Sequence, residues 1–135
     1  MFTKQYNQII NVKQENFQIS KLSAENFDLI SIYRSQEEKE EIVRELSKLI
    51  NTERPTIVLG DLNLNVLKGC QHSILRYFNS QKFAQLVQNA THRQGGLIDL
   101  VFASHHFNKG DIVIDQIGVY YSDHDIIHVK LRIRS

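Results

Sequence analysis

Residues 55 to 63 have the sequence PTIVLGDLN, and this stretch decides how the chain folds. The run TIVLG is mostly apolar, is too short for a helix, and lies between Pro55 and Gly60. Such a run predicts a strand that is buried on both faces, as in the middle of a sheet. Asp61 follows directly, so we expect its carboxylate at the rim of a packed sheet.

Patterns before this strand predict a hairpin and a helix. The segments 16–22 (NFQISKL) and 27–33 (FDLISIY) are rich in β-branched and aromatic residues, which favour strands. Ser35 is predicted to cap a helix that starts there, and Glu38 to complete a capping box. The helix would present one apolar stripe, made of Ile42, Val43, Leu46, Leu49 and Ile50.

Patterns after this strand predict one more helix and three more strands. Residues 72–87 read as a helix, a polar break near Asn79, and another short element. Strands are predicted over 97–103, 111–119 and the alternating segment 127–133. The fold class is therefore α/β, with strands outnumbering helices.

Composition restricts the classes of protein to which the chain can belong. Its 135 residues are enough for one domain at most, and 41% of them are hydrophobic. With 16 basic and 15 acidic residues the net charge is +1, so recognition of phosphate must be local. Cys70 is the only cysteine in the sequence, so an intrachain disulfide cannot form. No stretch of the sequence resembles a membrane span or a signal peptide. We expect a location inside the cell, in the nucleus or cytoplasm.

Acidic groups and a histidine occur where strands end or where a charge is unexpected. They are Asp61 with Asn63, Asp99 within an apolar strand, and the pair Asp123-His124. Gly60-Asp61-Leu62-Asn63 and Ser122-Asp123-His124 taken singly also suit ordinary turns. Asp99 is harder to dismiss, because a carboxylate among apolar residues requires a partner, and a histidine is a natural one.

Together these groups have the chemistry for hydrolysing a phosphodiester. Asp61 could hold and activate a water molecule, and Asn63 could hydrogen-bond to the phosphate. Asp123 offers the hard oxygen ligand that Mg²⁺ prefers, and His124 could donate to a phosphate oxygen. Asp99 could hold His124 in the required tautomer.

Three motifs carry a resemblance to a known superfamily. GDLN at 60–63, LIDLVF at 97–102 after the loop THRQGG, and SDH at 122–124 occur in the order, and at about the spacing, of the endonuclease/exonuclease/phosphatase superfamily. This superfamily is also called the DNase I-like fold. The resemblance also includes ISIYR at 30–34 and extends from about Phe17 to Ile133. The THRQGG loop is most similar to domains carried by retrotransposons and related mobile elements.

The resemblance implies a role for each matching residue. Asp61 takes the place of the water-orienting aspartate, Asn63 of the phosphate-side asparagine, and Asp99 of the histidine-orienting aspartate. Asp123 and His124 take the places of the acidic metal ligand and the catalytic histidine. Tyr33 stands where the family often has a tyrosine near the phosphate, and Arg34 is expected to assist in binding the substrate.

One departure from the family concerns the start of the domain. Complete members begin with a strand carrying an asparagine and another ending in a metal-binding glutamate. Glu15, Glu25 and Glu37 come too late in the order to be that glutamate. Residues 1–135 are thus expected to form a partial DNase I-like four-layer β-sandwich with flanking helices, without its N-terminal half. An apolar face is expected to be exposed where the missing strands would pack.

The function implied is Mg²⁺-dependent (or Mn²⁺-dependent) hydrolysis of phosphodiesters, as endonuclease cleavage of DNA by a mobile-element domain. Two alternatives stay open: a phosphatase or lipid phosphodiesterase of the same superfamily, and a catalytically inactive fragment. DNA is the expected partner, with a separate N-terminal half as a further candidate and no membrane. A zinc site at His124 and His128 is excluded, because residues four apart on a strand lie about 13 Å apart.

Overall fold

The chain forms a mixed sheet with helices on one face and a small second sheet on the other. The computed structural model describes residues 8–64, 72–87, 99–108, 110–117 and 126–132, and within these ranges there are eight strands and two helices. The strands are β1 (Gln8–Lys13), β2 (Phe17–Ser23), β3 (Asp28–Arg34), β4 (Thr56–Asp61), β5 (Phe83–Gln85), β6 (Asp99–Ser104), β7 (Ile112–Ile117) and β8 (Ile126–Leu131). The helices are α1 (Ile42–Leu49) and α2 (Ser73–Ser80).

The larger sheet contains six strands in the order β1-β2-β3-β4-β6-β5. Strands β3 and β4 are parallel, and α1 lies between them in sequence, as a crossover between parallel strands requires. Strand β4 pairs antiparallel with β6, which places β4 inside the sheet. Strands β7 and β8 form a separate antiparallel pair.

The helix side of the large sheet holds most of the hydrophobic core. Ile30 and Ile32 of β3 are buried there, together with Leu46 of α1. Phe78 of α2 stacks on Phe102 of β6, with ring centroids 4.3 Å apart. No helix among the described residues is long and apolar enough to cross a membrane.

The opposite side of the large sheet is covered in part by β7 and β8. Ile127 and Val129 of β8 face Leu59 of β4 and Val101 of β6. The small sheet therefore forms a second β-layer over β4 and β6. With the helices on the far side, the arrangement is a partial α/β sandwich, which confirms the predicted fold class.

The part of this side that is formed by β1 to β3 changes from apolar at one end to polar further along the strands. At one end, Ile9, Leu22 and Leu29 are cross-strand neighbours, and Ile9 is 69% exposed. The next row across the sheet is Asn11, Ser20 and Ser31, and is polar. The apolar surface predicted here is thus a single row rather than a whole face. We call Ile9, Leu22 and Leu29 the apolar row.

Most of the predicted elements are found close to their expected positions. The predicted hairpin is β2 and β3, which pair antiparallel over their whole length. The strand predicted from TIVLG is β4, and the last strand alternates between half-buried and exposed residues as expected. Strand β1 was not predicted, because nearly all of its side chains are exposed and leave no apolar pattern to detect.

The predicted start of the first helix was wrong. Ser35 does not cap it, since α1 begins at Ile42. Glu40 has a φ of 69°, a left-handed conformation that a helix interior excludes. Glu38 is buried, and its Oε2 accepts a hydrogen bond from the Ile42 N–H at 2.9 Å. Glu38 therefore satisfies the first turn of a helix that starts four residues after it.

Candidate active site

Three of the predicted site residues lie side by side on neighbouring strands. Asp61 of β4 is paired across the sheet with Asp99 of β6, and Tyr33 of β3 is in register with Asp61. Residues paired in this way share a face of the sheet, with Cβ atoms about 5 Å apart across an antiparallel pair. We call Tyr33, Asp61 and Asp99 the site row.

The site row borders an open cleft between the two sheets. The cleft has a volume of about 260 Å³, and Asp61 and Asp99 line it with Ile127 and Val129 of β8. Its walls are apolar apart from the two carboxylates. Tyr33 is 52% exposed, so its phenol ring is accessible on the side of β3 that β8 does not cover.

Gly60 makes the close approach of β3 and β4 possible. A Cβ atom at this position would lie 2.1 Å from the carbonyl oxygen of Ile32. Only glycine fits there, so the residue before Asp61 is fixed by the backbone rather than by chemistry.

Asn63 is held in a tight turn directly after β4. Its φ is 52°, a left-handed conformation that asparagine adopts more readily than most residues. Its backbone N–H donates to Asp61 Oδ1 at 3.0 Å, and its Nδ2 donates to the Arg34 carbonyl oxygen at 2.5 Å. The turn therefore couples Asn63 both to Asp61 and to the end of β3.

Arg34 does not occupy the position expected for a residue that assists substrate binding. It is 4% exposed and lies on the helix side of the sheet, opposite the site row. Successive side chains of a strand point to opposite faces, so Tyr33 and Arg34 cannot both face the cleft. The expected contact between Arg34 and the substrate is therefore corrected: its guanidinium group is engaged within the protein.

The partners of Arg34 were not predicted from the sequence. Its Nε donates to Glu38 Oε1 at 3.0 Å, and its Nη1 donates to the Leu62 carbonyl oxygen at 3.0 Å. Its Nη2 lies 2.9 Å from His72 Nε2. The only signal for this network in the sequence is the i, i+4 spacing of Arg34 and Glu38, which also fits a helix.

Burial lowers the pKa of the His72 imidazole, and the positive charge of Arg34 lowers it further. Two donors approach the ring, Arg34 Nη2 at Nε2 and the Ile74 N–H at Nδ1, while the Glu40 carboxylate lies 3.9 Å from Nε2. A neutral imidazole has one acceptor nitrogen, and a protonated imidazole has none. The neutral ring is therefore the form that suits this position.

Asp123, His124 and the THRQGG loop lie outside the described residues. Among the residues that the structure does describe, no three His, Cys, Asp or Glu side chains converge closely enough to hold a metal ion. The oxygen donors of Asp61, Asn63 and Asp99 nevertheless match the preference of Mg²⁺ and Mn²⁺ for carboxylate and carbonyl oxygens. Chemically, the described part of the cleft presents two carboxylates in walls that are otherwise apolar.

A family comparison matches most of the chain. The sequence pattern of the endonuclease–reverse transcriptase family matches residues 27–128. This range includes every residue of the predicted site. A search among curated protein sequences finds no significant match.

Solved structures with the same fold are distant in sequence. The endonuclease domain of TRAS1, a telomere-specific non-LTR retrotransposon, matches 96% of this chain with a TM-score of 0.67 and 12% identity. Beta toxin from Staphylococcus aureus matches 87% of it with a TM-score of 0.52 and 14% identity. The chain spans 70% of the first structure and 57% of the second.

An inositol polyphosphate 5-phosphatase domain of synaptojanin also matches, at 13% identity over 93% of this chain and 56% of that one. Its TM-score of 0.43 is too low to support an argument about the fold.

Proposed function

Because the chain belongs to the endonuclease–reverse transcriptase family, within the DNase I-like superfamily, we propose that it hydrolyses phosphodiester bonds of DNA with a divalent metal ion. The observation that carries the proposal is the pairing of Asp61 with Asp99 beside Tyr33 at an open cleft. Two carboxylates directly opposite each other repel, so a bound cation or a protonated imidazole beside them is stabilising.

In this proposal Asn63 and the residues of the site row have separate roles in hydrolysis. Asp61 orients the water that attacks phosphorus and accepts its proton, which general base catalysis requires. The bond from phosphorus to the leaving sugar oxygen breaks as the new bond forms, and that oxygen takes a proton from solvent. Asn63 donates a hydrogen bond to the phosphate or to that water. Tyr33 donates its phenol hydroxyl to a non-bridging phosphate oxygen, where negative charge develops in the transition state.

His124 and Asp123 complete the proposed site. Ile127 lines the cleft and follows His124 by three residues, a length of chain that reaches at most about 11 Å. Asp99 would accept a hydrogen bond from one ring nitrogen of His124 and so stabilise the protonated imidazole, whose other nitrogen also carries a hydrogen. That other nitrogen would donate to the phosphate.

Mg²⁺ or Mn²⁺ is the cofactor that this donor set favours. When bound, the ion would neutralise charge on the phosphate and help to form the attacking hydroxide. Asp123 is proposed to hold it, with the carboxylates of the site row nearby. The modest net charge of the chain agrees with such local recognition of phosphate.

We further propose that a polypeptide covering β1 to β3 contributes to full activity. The matched structures include 30% or more that this chain does not span, and the apolar row lies on the side of the sheet that β7 and β8 leave open. An N-terminal half from a related domain is the partner that fits this side.

Nicking of a supercoiled plasmid in the presence of Mg²⁺ tests the proposal. The chain itself and the chain fused to the N-terminal half of a relative are assayed, each with His124→Ala, Asp61→Asn and Asp115→Asn. The first two changes are expected to reduce the rate by at least about 100-fold. Asp115→Asn is the matched control, since Asp115 is a half-exposed carboxylate of β7 that pairs with Lys130.

The outcomes separate activity from completeness of the site. Cleavage by the chain alone that His124→Ala abolishes means that the chain is sufficient. Cleavage only by the fusion means that the residues are competent but need the covering polypeptide. No cleavage by either form, or cleavage that survives EDTA, would contradict metal-dependent hydrolysis of DNA.

A further inference from the structure

Arg34 holds the turn that carries Asn63 from two sides. Its Nη1 donates to the carbonyl oxygen of Leu62, the residue just before Asn63, at 3.0 Å. Its own carbonyl oxygen accepts from Asn63 Nδ2 at 2.5 Å. The side chain and the backbone of one residue thus fix successive residues of the turn after β4.

The Arg34 side chain is itself anchored. Nε donates to Glu38 Oε1 at 3.0 Å, and Nη2 donates to the Glu38 carbonyl oxygen at 3.2 Å. Both side chains of this ion pair are almost fully buried, at 5% and 1% exposed. A buried, multiply bonded guanidinium cannot swing out, so the position of Leu62 relative to β3 is determined by rigid contacts.

We infer that Arg34 is a positioning residue for the catalytic turn, which sets Asn63 and, through it, Asp61 against the substrate. The inference rests on the proposed function for its catalytic meaning. The link to Asp61 is the hydrogen bond from the Asn63 N–H to Asp61 Oδ1 at 3.0 Å. Arg34 acts from the helix side of the sheet and does not contact DNA.

Lysine cannot replace arginine in this role. The guanidinium reaches Glu38, the Leu62 carbonyl and His72 in three directions at once. A lysine ammonium has one nitrogen, so it cannot reproduce contacts that arise from three separate nitrogens of the guanidinium group. Arg34→Lys therefore keeps the positive charge but removes hydrogen bonds that hold the turn after β4.

The same strand provides a matched control at its other end. Arg54 forms an ion pair with the buried Asp28, the first residue of β3, through Nε and Oδ1 at 2.9 Å. It also donates to the carbonyl oxygens of Ala24 and Phe27. Arg54 is thus another multiply bonded arginine on a buried carboxylate, but it lies far from the site row.

The test compares Arg34→Lys with Arg54→Lys in the full chain, and in the fusion if only the fusion cleaves DNA. Nicking is measured as kcat and KM at several salt concentrations, and exchange of the Asn63 amide hydrogen is followed by NMR. Arg34→Lys is expected to lower kcat by about 10- to 100-fold with KM and its salt dependence unchanged. It should also speed exchange at Asn63 by about tenfold, which is the effect of losing a contact of about 1.4 kcal/mol. Arg54→Lys should do neither.

The outcomes distinguish this inference from the proposed function. Faster exchange at Asn63 in Arg34→Lys but not in Arg54→Lys, with no nicking by either the chain or the fusion, supports the positioning role of Arg34 and removes the nuclease proposal. A higher KM with a shallower salt dependence would show that Arg34 contacts phosphate directly, and would overturn the inference. Unchanged kcat and unchanged exchange would overturn it too. Glu38→Gln, which weakens the same anchor, replaces Arg34→Lys if that variant does not fold.

Discussion

At the end of β4, the space around position 60 limits which side chain the chain can carry there. A Cβ atom at position 60 would meet the Ile32 carbonyl oxygen at 2.1 Å, and that oxygen belongs to a paired strand that cannot move aside. Gly60→Ala is therefore expected to lower the free energy of unfolding by at least about 2 kcal/mol. Urea denaturation measures this, with Ser31→Ala, an exposed change on β3, as a control of small effect. A Gly60→Ala variant as stable as the wild type would contradict the tight contact.

Protonation of the His72 ring is expected to contribute to the dependence of stability on pH. Its pKa is lowered by burial, by Arg34 and by Arg76, while Glu40 and Glu38 act in the opposite direction. An unfolded chain takes up this proton near pH 6.5, as histidines ordinarily do at about that value. The folded chain resists protonation, so the free energy of unfolding is expected to decrease as pH falls below about 6.5.

His72→Asn isolates this contribution. Asparagine can cap α2 in the same way as His72, whose Nδ1 accepts from the Ile74 N–H, but it does not titrate. The variant should therefore show a smaller loss of stability between about pH 7 and about pH 5 than the wild type. Thermal unfolding at a series of pH values is the measurement. Parallel profiles for the two proteins would show that His72 has no part in the pH dependence.

At the scale of elements, Glu38 replaces Ser35 as the residue that organises the start of α1. Its Oε2 accepts from Ile42 N–H, and its Oε1 neutralises the buried Arg34. Glu38→Ala is expected to destabilise the fold by about 3–5 kcal/mol, because it leaves a buried charge unpaired. Ser35→Ala should change stability by less than about 1 kcal/mol, since Ser35 does not cap the helix. Equal effects of the two changes would show that Ser35 caps the helix, as the predicted capping box requires.

The elements that could be predicted are those whose signal is local. The continuous apolar run of β4 and the alternation of β8 locate strands without knowledge of the rest of the chain. The start of α1 could not be found in this way, because Glu38 binds Arg34 in a network that includes the distant residues Leu62 and His72. Glu40, in addition, is left-handed. Strand β1 is defined by pairing with β2 rather than by its own exposed side chains.

The candidate site follows the same rule. The motif GDLN identified Asp61 and Asn63, and the charge within an apolar run identified Asp99. Their juxtaposition depends on the order of β3, β4 and β6 in the sheet, which no local pattern gives. The sequence predicts that Arg34 assists in binding the substrate, but the structure buries it, and the alternation of side chains along β3 already separates it from Tyr33.

At the scale of the whole molecule, the small sheet covers only part of the large sheet. Strands β7 and β8 lie over β4 and β6, so the site row is at the boundary between covered and open sheet. This boundary explains how Asp61 and Asp99 can line an apolar cleft while Tyr33, on the next strand, is half exposed. A polypeptide added over β1 to β3 would therefore meet both the apolar row and the edge of the site.

The exposed apolar row should govern how the isolated chain behaves in solution. Ile9 is 69% exposed and lies beside Leu22 and Leu29 in the apolar row. Val113 of β7 is also exposed, but its neighbours Lys130 and Asp115 are charged. A contiguous apolar row promotes self-association and dye binding more than an isolated apolar side chain. Ile9→Lys is thus expected to reduce fluorescence of a hydrophobic dye and to shift sedimentation towards the monomer, and Val113→Lys to have little effect. Since both side chains are on the surface, neither change should alter the unfolding midpoint by more than a few degrees. Equal responses of the two variants would mean that the open side of β1 to β3 is not the adhesive surface.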